Sequence, residues 1–488
     1  MIALSAFFCY LLIILALIMA VKVKLNEDQK EAFKAIQAFI DHPAADTFIL
    51  KGYAGTGKTF LMQYVAKWLE EKKYKFSLLA STGRAAAVLR GKTGLTTKTV
   101  HSELYHFSKV DGAEDDLPDD ATIDQHRQMT LLFTLRPRDD GKKIYIIDES
   151  SMLSSEIADE TTTVFFGSGN LLSDFFSAAG NNKIIFVGDP GQLPPINQVF
   201  SPALEIGWLA EQNRTAITVT LEKIERTDPD NDILVLASSI RNMTREEYLP
   251  RYPKFPASNM NNVMIHPSDD DLFQHYLQAF KQLGPDGTIA IARSNRTVNY
   301  INAEVRRDLF GEANLPVQEN DVLLVVQNNY AVPLTNGDFV TVIELGEMIS
   351  HVGLHFQKIT IKTLLSDTEH TMLLSLDILY GDETNFTKSQ AKMLMVDFNR
   401  RMQRKGIAAN SEHYREAMMS DQYLNCLRAK FGYAVTCHKA QGGEWNEVFL
   451  FLEKSMYGMK PGEMFRWWYT AVTRTRQQLH LASNWWII

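Results

Sequence analysis

Cysteine is scarce: three in 488 residues, Cys9, Cys426 and Cys437, with no C-x-x-C spacing. That excludes a disulfide-stapled scaffold, argues against a zinc site and suits a reducing compartment. Basic charge is not in excess either, since 50 Lys and Arg against 58 Asp and Glu leave a formal net charge of −8. No overall field draws the chain to polyanions, so any nucleic-acid path needs a local basic lining. Internal repeats, low-complexity segments and a clustered acidic–lysine nuclease signature are also missing. One apolar run is long. MIALSAFFCYLLIILALIMAV, residues 1–21, has no charge, and Lys22 and Lys24 follow it. It is long enough to span a bilayer as a helix and lacks the basic start of a cleaved signal peptide. The lysines after it would keep the body cytoplasmic. Two readings stand, a membrane anchor and an upstream extension of the reading frame outside the working protein.

The length allows several domains of ~100–200 residues. Strand-like apolar runs at 47–50, 76–80, 143–147 and 183–187 alternate with helical patterns, and each ends in a polar loop. That order predicts an α/β fold with a parallel sheet and ligands at the carboxyl ends of its strands. Between the second and third runs, VDGAEDDLPDDATID reads as an acidic solvated loop, flanked by ELYHFSKV and MTLLFTLR as a candidate hairpin. TIAIARSNRTVNYINAEV (288–305) opens a second α/β unit. Residues 315–346, with an Asn-Gly turn at 336–337, read as a small β-barrel inserted into it. A Met- and Arg-rich helical stretch follows to about residue 430, and FGYAVTCHKAQGGEWNEVFLFLE returns to strand–helix–strand.

Phosphate chemistry is written into GYAGTGKTF (52–60). Gly52, Gly57, Lys58 and Thr59 hold the fixed positions of G-x-x-x-x-G-K-[ST], with Tyr53, Ala54, Gly55 and Thr56 between them. A strand before and a helix after supply the required context. Glycines let backbone N–H groups close around phosphates, the helix N-terminus adds positive potential, Lys58 reaches the β/γ oxygens and Thr59 ligates Mg²⁺. In IYIIDESSML (144–153), Asp148 is the candidate for holding hydrated Mg²⁺ and Glu149 for polarising the attacking water. FVGDPGQLPPI (186–196) places Gln192 after a tight turn at a third strand end, where its amide can sense a γ-phosphate.

That last string resembles motif III of superfamily 1 helicases, and further strings fall into the family's order. LNEDQKEAF (25–33) resembles the adenine-reading segment, ASTGRAAAVL (80–89) motif Ia and TVHSELY (99–105) motif Ib. LEKIERTDPDNDI (221–233) resembles motif IV, YAVTCHKAQGGEW (433–445) motif V and WWYTAVTRTRQQLHLA (467–482) motif VI. The resemblance covers nearly all of residues 24–488 and is nearest to the RecD-like, Dda-type phage helicases of branch 1B. It implies ATP and Mg²⁺ as cofactors, with Lys58, Thr59, Asp148, Glu149, Gln192, Arg226 and Arg474 at the triphosphate. Gln29 would contact the adenine and Glu444 the ribose or the coupling network. Thr82, Arg84, His101, Pro195, Thr436, His438, Lys439 and Gln441 would line single-stranded DNA. Tyr105 and Phe107 are strand-separation candidates, although a strand aromatic is more often core.

The implied architecture has two RecA-like domains, 22–83 with 138–220 and 221–310 with 431–488. A hairpin insertion (84–137) and an SH3-like insertion (311–430) complete it. Four positions depart from the family pattern. Tyr53 stands where proline is frequent, with little consequence expected because that position contributes backbone. Trp467 and Trp468 are bulky before motif VI, and Phe339 replaces a common glycine. Independently of resemblance, Thr436, His438, Lys439 and Gln441 offer four donors within six residues, which suits sequence-independent phosphate contacts. Pro194–Pro195 suits tolerant contact with a base.

The function expected is an ATP-dependent DNA helicase moving 5′-to-3′ on single strands in the cytoplasm. Its partners would be single-stranded and forked duplex DNA, with single-strand binding, replication or recombination proteins as candidates and a membrane tether through residues 1–21. The rivals are a nucleotide-switched clamp that remodels protein–DNA complexes without unwinding, the motor subunit of a RecD-like nuclease complex, and a membrane-tethered ATPase unrelated to DNA.

Overall fold

The computed structural model describes residues 25–111, 130–137, 141–157, 164–224, 231–244, 252–257, 259–312, 315–329, 331–364, 367–409 and 411–487. Among them no helix is long and apolar enough to cross a membrane, and the run expected to do so, residues 1–21, lies outside them.

Six strands form the first sheet, in the spatial order Thr97–Thr99, Phe76–Ala80, Ile144–Asp148, Lys183–Gly188, Thr47–Gly52 and Ala216–Leu221. All neighbours are parallel. The four expected apolar runs are therefore strands, and the reason is burial on both faces. Ile144–Asp148 is buried at every residue and Thr47–Gly52 at all but Lys51, as a parallel sheet covered by helices requires. Leu61, Val65 and Leu69, at helical spacing, pack on one face with Phe48 and Leu50; Ile49, Leu79 and Ile147 face the other core. Helix ends follow local chemistry. Thr82 Oγ1 accepts the Ala85 N–H to start Gly83–Thr93, and Gly94 ends it at φ 71°.

A second parallel sheet orders Val263–His266, Thr475–Ala482, Trp445–Leu450, Thr288–Ala292 and Ala434–Thr436. Trp467 and Trp468, flagged as bulky, are buried in its core, where Trp468 meets Phe255 and Trp486 edge-on. We refer to these two sheets with their helices as the first and second lobes. Between the second lobe's segments lies an antiparallel sheet in the order Glu369–Ser375, Leu354–Thr363, Phe339–His351, Val322–Val325 and Ala429–Phe431. Helices Lys388–Arg404 and Glu412–Met419 follow it in the chain before Ala429–Phe431 returns. Tyr105–Asp111 and Thr130–Leu135 pair antiparallel, as the flanks of the acidic loop suggested; Val164–Phe166 joins them in parallel.

The antiparallel sheet is fastened to the second lobe by a buried ion pair. In Asn295–Phe310, Val298, Ile301, Val305 and Arg306 share the buried stripe. Arg306 Nε and Nη2 meet Asp321 Oδ1 and Oδ2 at 2.9 and 3.0 Å, with Asp321 fully buried. The guanidinium also donates to the carbonyls of Leu315 and Pro316, while Tyr433 Oη donates to Asp321 at 2.7 Å. Removing one partner strands a charge in a low-dielectric interior. Arg306→Met should cost ~3–5 kcal/mol in urea unfolding, and Arg306→Met/Asp321→Leu should recover much of that loss. A double variant no more stable than the single one would refute the charge argument.

Candidate nucleotide site and nucleic-acid face

Lys58, Thr59, Asp148, Glu149 and Gln192 converge because each ends or follows a strand of the first sheet. The loop leaves Gly52 and turns through Gly55 and Gly57, at φ 79° and 76°. A Cβ on Gly57 would lie 2.4 Å from Gln29 Nε2, so the loop can close over that side chain only without one. Lys58 Nζ donates to the carbonyls of Gly52 and Tyr53 at 2.8 and 3.0 Å, folding the ammonium over the loop. Gln29 lines the cleft, and its amide is also engaged on both sides. Its Oε1 accepts the Asn26 N–H in a capping box and its Nε2 donates to Thr56 O at 3.2 Å. Its amide braces the helix start and the loop from below, with 2 % of the residue exposed.

Asp148 ends its strand buried, accepting the Glu149 N–H at 2.9 Å and a hydrogen bond from the Thr59 side chain. Glu149 takes φ 53°, ψ 37°, a left-handed conformation that costs a β-carbon residue of order 1–3 kcal/mol. Burial raises the pKa of both carboxyls. For Glu149 the neighbouring Asp148 adds to the rise, while Arg474 and Lys58 oppose it. Glu149 Oε2 and Gln192 Oε1 are buried with no hydrogen-bond partner. Asp189 steadies the turn to Gln192 by accepting the Gly191 N–H at 2.9 Å.

The second lobe closes the other side. Arg474, 4 % exposed, is held by Thr470 O, Gly443 O and Thr473 Oγ1 at 3.0, 3.2 and 3.0 Å. Glu444 pairs with Arg476 at 3.2 Å. One cleft of about 580 Å³ is lined by Gln29, Lys58, Thr59, Asp148, Glu149 and Gln192 from the first lobe and by Glu444, Arg474 and Arg476 from the second. Arg226 lies outside the described residues. Arg476 and Lys92, which also line the cleft, escaped the sequence reading. Arg476 sits two residues after Arg474 in the same VTRTR string; Lys92 carries no motif. Two ammonium groups, two guanidinium groups, the Asp148 and Glu149 carboxyls and the orphaned Gln192 oxygen are the groups a magnesium-bound triphosphate and its attacking water would use, so the residues present fit both cofactors.

The nucleic-acid candidates are brought together only in part. A Cβ on Gly442 would lie 3.5 Å from Thr82 Oγ1, so motif-Ia and motif-V strings face each other across the lobes. Lys439 Nζ donates to Asn336 Oδ1 at 2.8 Å, and burial lowers its pKa. Burial likewise lowers the His438 and His101 pKa values; Glu463 opposes the former. Thr436 precedes the Cys437–Ala440 turn without capping it by its side chain. Gln441 is buried and donates to Leu193 O at 3.2 Å, joining the lobes instead of facing a groove.

Arg84 is also diverted: its guanidinium lies 4.5 Å over Trp445 and 4.9 Å over Phe339, and burial brings its pKa to about 10. Phe339, where a glycine was the norm, thus has a partner. Pro195 is buried and its neighbour Ile196 is 68 % exposed, so the apolar contact surface of this turn is Ile196. His101 packs on Tyr105 and Phe166 at 5.9 and 5.5 Å. Tyr105 is not a wedge: it is 4 % exposed and its hydroxyl donates to Asp174 Oδ2 at 2.8 Å. Phe107, half-buried, meets Phe133 edge-on and packs against the Met395–Met418 core.

Two family models agree with this layout. An AAA domain family model matches residues 24–253, the first sheet and beyond, and a UvrD-like helicase C-terminal domain model matches residues 431–482. The uncharacterized protein R530 of Acanthamoeba polyphaga mimivirus is 22 % identical over 517 residues, covering 93 % of this chain and 99 % of that one. The ATP-dependent RecD2 DNA helicase of Deinococcus radiodurans is 23 % identical over 447 residues and 89 % of this chain; the match spans 47 %, about half, of that protein. A solved Pif1 helicase from Bacteroides, in complex with ADP-AlF3 and ssDNA, aligns at 16 % identity and a TM-score of 0.49 over 96 % of this chain and 95 % of that one. The family models fall on the two lobes in the order of the motifs, and together with the RecD2 relative they support a superfamily 1B, Pif1/RecD-like helicase.

Proposed function

We propose that this chain is an ATP-dependent DNA helicase that translocates 5′-to-3′ on single-stranded DNA and separates forked duplexes. The observation that carries the reading is the single cleft lined from both lobes. Phosphoryl transfer asks for charge neutralisation and positioning more than covalent help, and a trans arginine contributes ~10³–10⁵ in rate. Lys58 would neutralise the β/γ oxygens, Thr59 and Asp148 would hold Mg²⁺, Glu149 would orient water and Gln192 would sense the terminal phosphate. Mg²⁺, when bound, would offset the charge developing on the phosphate. Arg474 would draw the second lobe onto the triphosphate, and its loss on hydrolysis would release that grip. The parallel sheets belong, on this reading, to two RecA-like domains, the antiparallel sheet to an SH3-like insertion and the Tyr105–Leu135 pair to the hairpin insertion. Thr82, Thr436, His438 and Lys439 remain the DNA-backbone candidates. The clamp that remodels without unwinding is the rival, since the wedge has lost Tyr105. The DNA helicase name of the RecD2 relative favours the motor.

Fork assays decide. Unwinding is expected from a 5′-tailed fork. Unwinding only from a 3′ tail would overturn the polarity. ATP turnover stimulated by single strands without unwinding on either fork would establish the clamp instead. Arg474→Ala should lower ATP turnover by ~10³-fold or more. Glu149→Gln should lower it by ~10²–10⁴-fold while nucleotide and single-stranded DNA stay bound, as read in a filter-binding assay. Lys439→Ala should reduce the slope of log K against log salt by about 1 unit; an unchanged slope would remove it from the backbone path.

A further inference from the structure

The phosphate loop's front half is covered by the second lobe. Tyr53, set aside as a backbone position, lies with its ring 4.0 Å beneath the Arg241 guanidinium of the Asp232–Met243 helix. Ala54 donates its N–H to Tyr469 Oη at 2.9 Å. A Cβ on Gly55 would sit 3.1 Å from Leu234 Cδ1. Three consecutive loop residues thus touch the helices Asp232–Met243 and Pro461–Val472, and Tyr53 and Ala54 pack against the second lobe's core.

Tyr469 does more than receive Ala54. Its hydroxyl donates to Asp189 Oδ2 at 2.7 Å, and the other oxygen of that buried carboxylate holds the Gly191 N–H beside Gln192. Burial and Asp189 push the phenol pKa well up, so it stays a donor. The next residue, Thr470, takes the Leu193 N–H at 2.9 Å, and Arg474 lies one turn further along. One side chain therefore references the loop, the Gln192 turn and the helix that leads to Arg474 to each other.

We propose that Tyr53–Gly55 and these two helices form a clasp coupling the nucleotide loop to lobe position, with Tyr469 as its positioning residue. The inference rests on the reading of the cleft as an ATPase site. Loss of the hydroxyl leaves Gly57, Lys58 and Thr59 in place to bind nucleotide but frees the loop from the Gln192 turn. The effect then falls on turnover rather than on nucleotide affinity.

Steady-state ATP turnover, with and without oligo-dT, and the Kd of a non-hydrolysable ATP analogue test this in wild type, Tyr469→Phe, Arg241→Gln and the double variant. In Tyr469→Phe, kcat should fall about tenfold or more while KM and the analogue's Kd stay within about threefold. Arg241→Gln should act in the same direction, and the two effects should not add, because both grips hold one loop. Phenylalanine keeps the buried ring, so thermal melting near that of wild type checks the fold. Arg241→Gln, at a half-buried position, serves if Tyr469→Phe does not fold. Turnover within about twofold of wild type in both variants overturns the clasp, as does a raised KM and Kd with kcat unchanged. Those outcomes leave the ATPase reading intact, whereas a wild-type chain without ATP turnover overturns both.

Discussion

Two buried carboxyl groups beside a lysine-bearing loop set the terms for the rest of this molecule. Asp148 and Glu149 are adjacent, and burial raises the pKa of each. Like charges in a low-dielectric site cannot both ionise without cations nearby. Lys58 and Arg474 supply that compensation from opposite lobes, and the orphaned oxygens of Glu149 and Gln192 mark where further partners belong. Glu149's left-handed backbone adds strain at the same point. Such strain persists where surroundings over-determine it, and the buried strand ahead of Glu149 and the Ser150–Met152 turn behind it do so here.

A second constraint is the crowding at Thr82–Arg84, where the first lobe's helix begins. Gly442 of the second lobe comes within contact of Thr82, and a Cβ on Gly83 would overlap Thr335 of the antiparallel module. Arg84 then reaches Trp445 and Phe339, one from each of those bodies. One helix start thus meets both other bodies, and glycine is needed at 83 because the approach leaves no space for a side chain. A displacement of either body is felt at the start of the helix that leads to Lys92 in the cleft.

Fixed spacings were legible in the sequence, because their chemistry is local. The phosphate loop, the strand ending in Asp148 and the turn before Gln192 all depend on residues within about a dozen positions, and the parallel sheet follows from their buried runs. What was misread depends on distant partners or on a competing local signal. Tyr53 meets a guanidinium on Arg241, and Arg84 finds its rings on Trp445 and Phe339; no periodicity encodes either. Asn26 to Gln29 has capping-box spacing, a local use of the glutamine that went unread beside its motif role. Tyr105 alternates as any strand residue does, and only the fold shows Asp174 waiting for its hydroxyl. Val164–Phe166 was missed for a related reason: three residues give too short a run for alternation to register.

The polar contacts also grade the joints of the molecule. Arg306 and Asp321 fix the antiparallel sheet to the second lobe through a doubly hydrogen-bonded, buried charge pair whose disruption costs ~3–5 kcal/mol. Across the cleft, Ala54 to Tyr469, Tyr469 to Asp189, Leu193 to Thr470 and Gln441 to Leu193 are single bonds, two of them through backbone amides. Each contributes ~0.5–1.5 kcal/mol net, somewhat more where a carboxylate accepts. If a bound phosphate engages Arg474 as proposed, it adds a charge-assisted contact to these bonds across the cleft. On the proposed reading, the cleft would be the moving joint and the antiparallel sheet would travel with the second lobe.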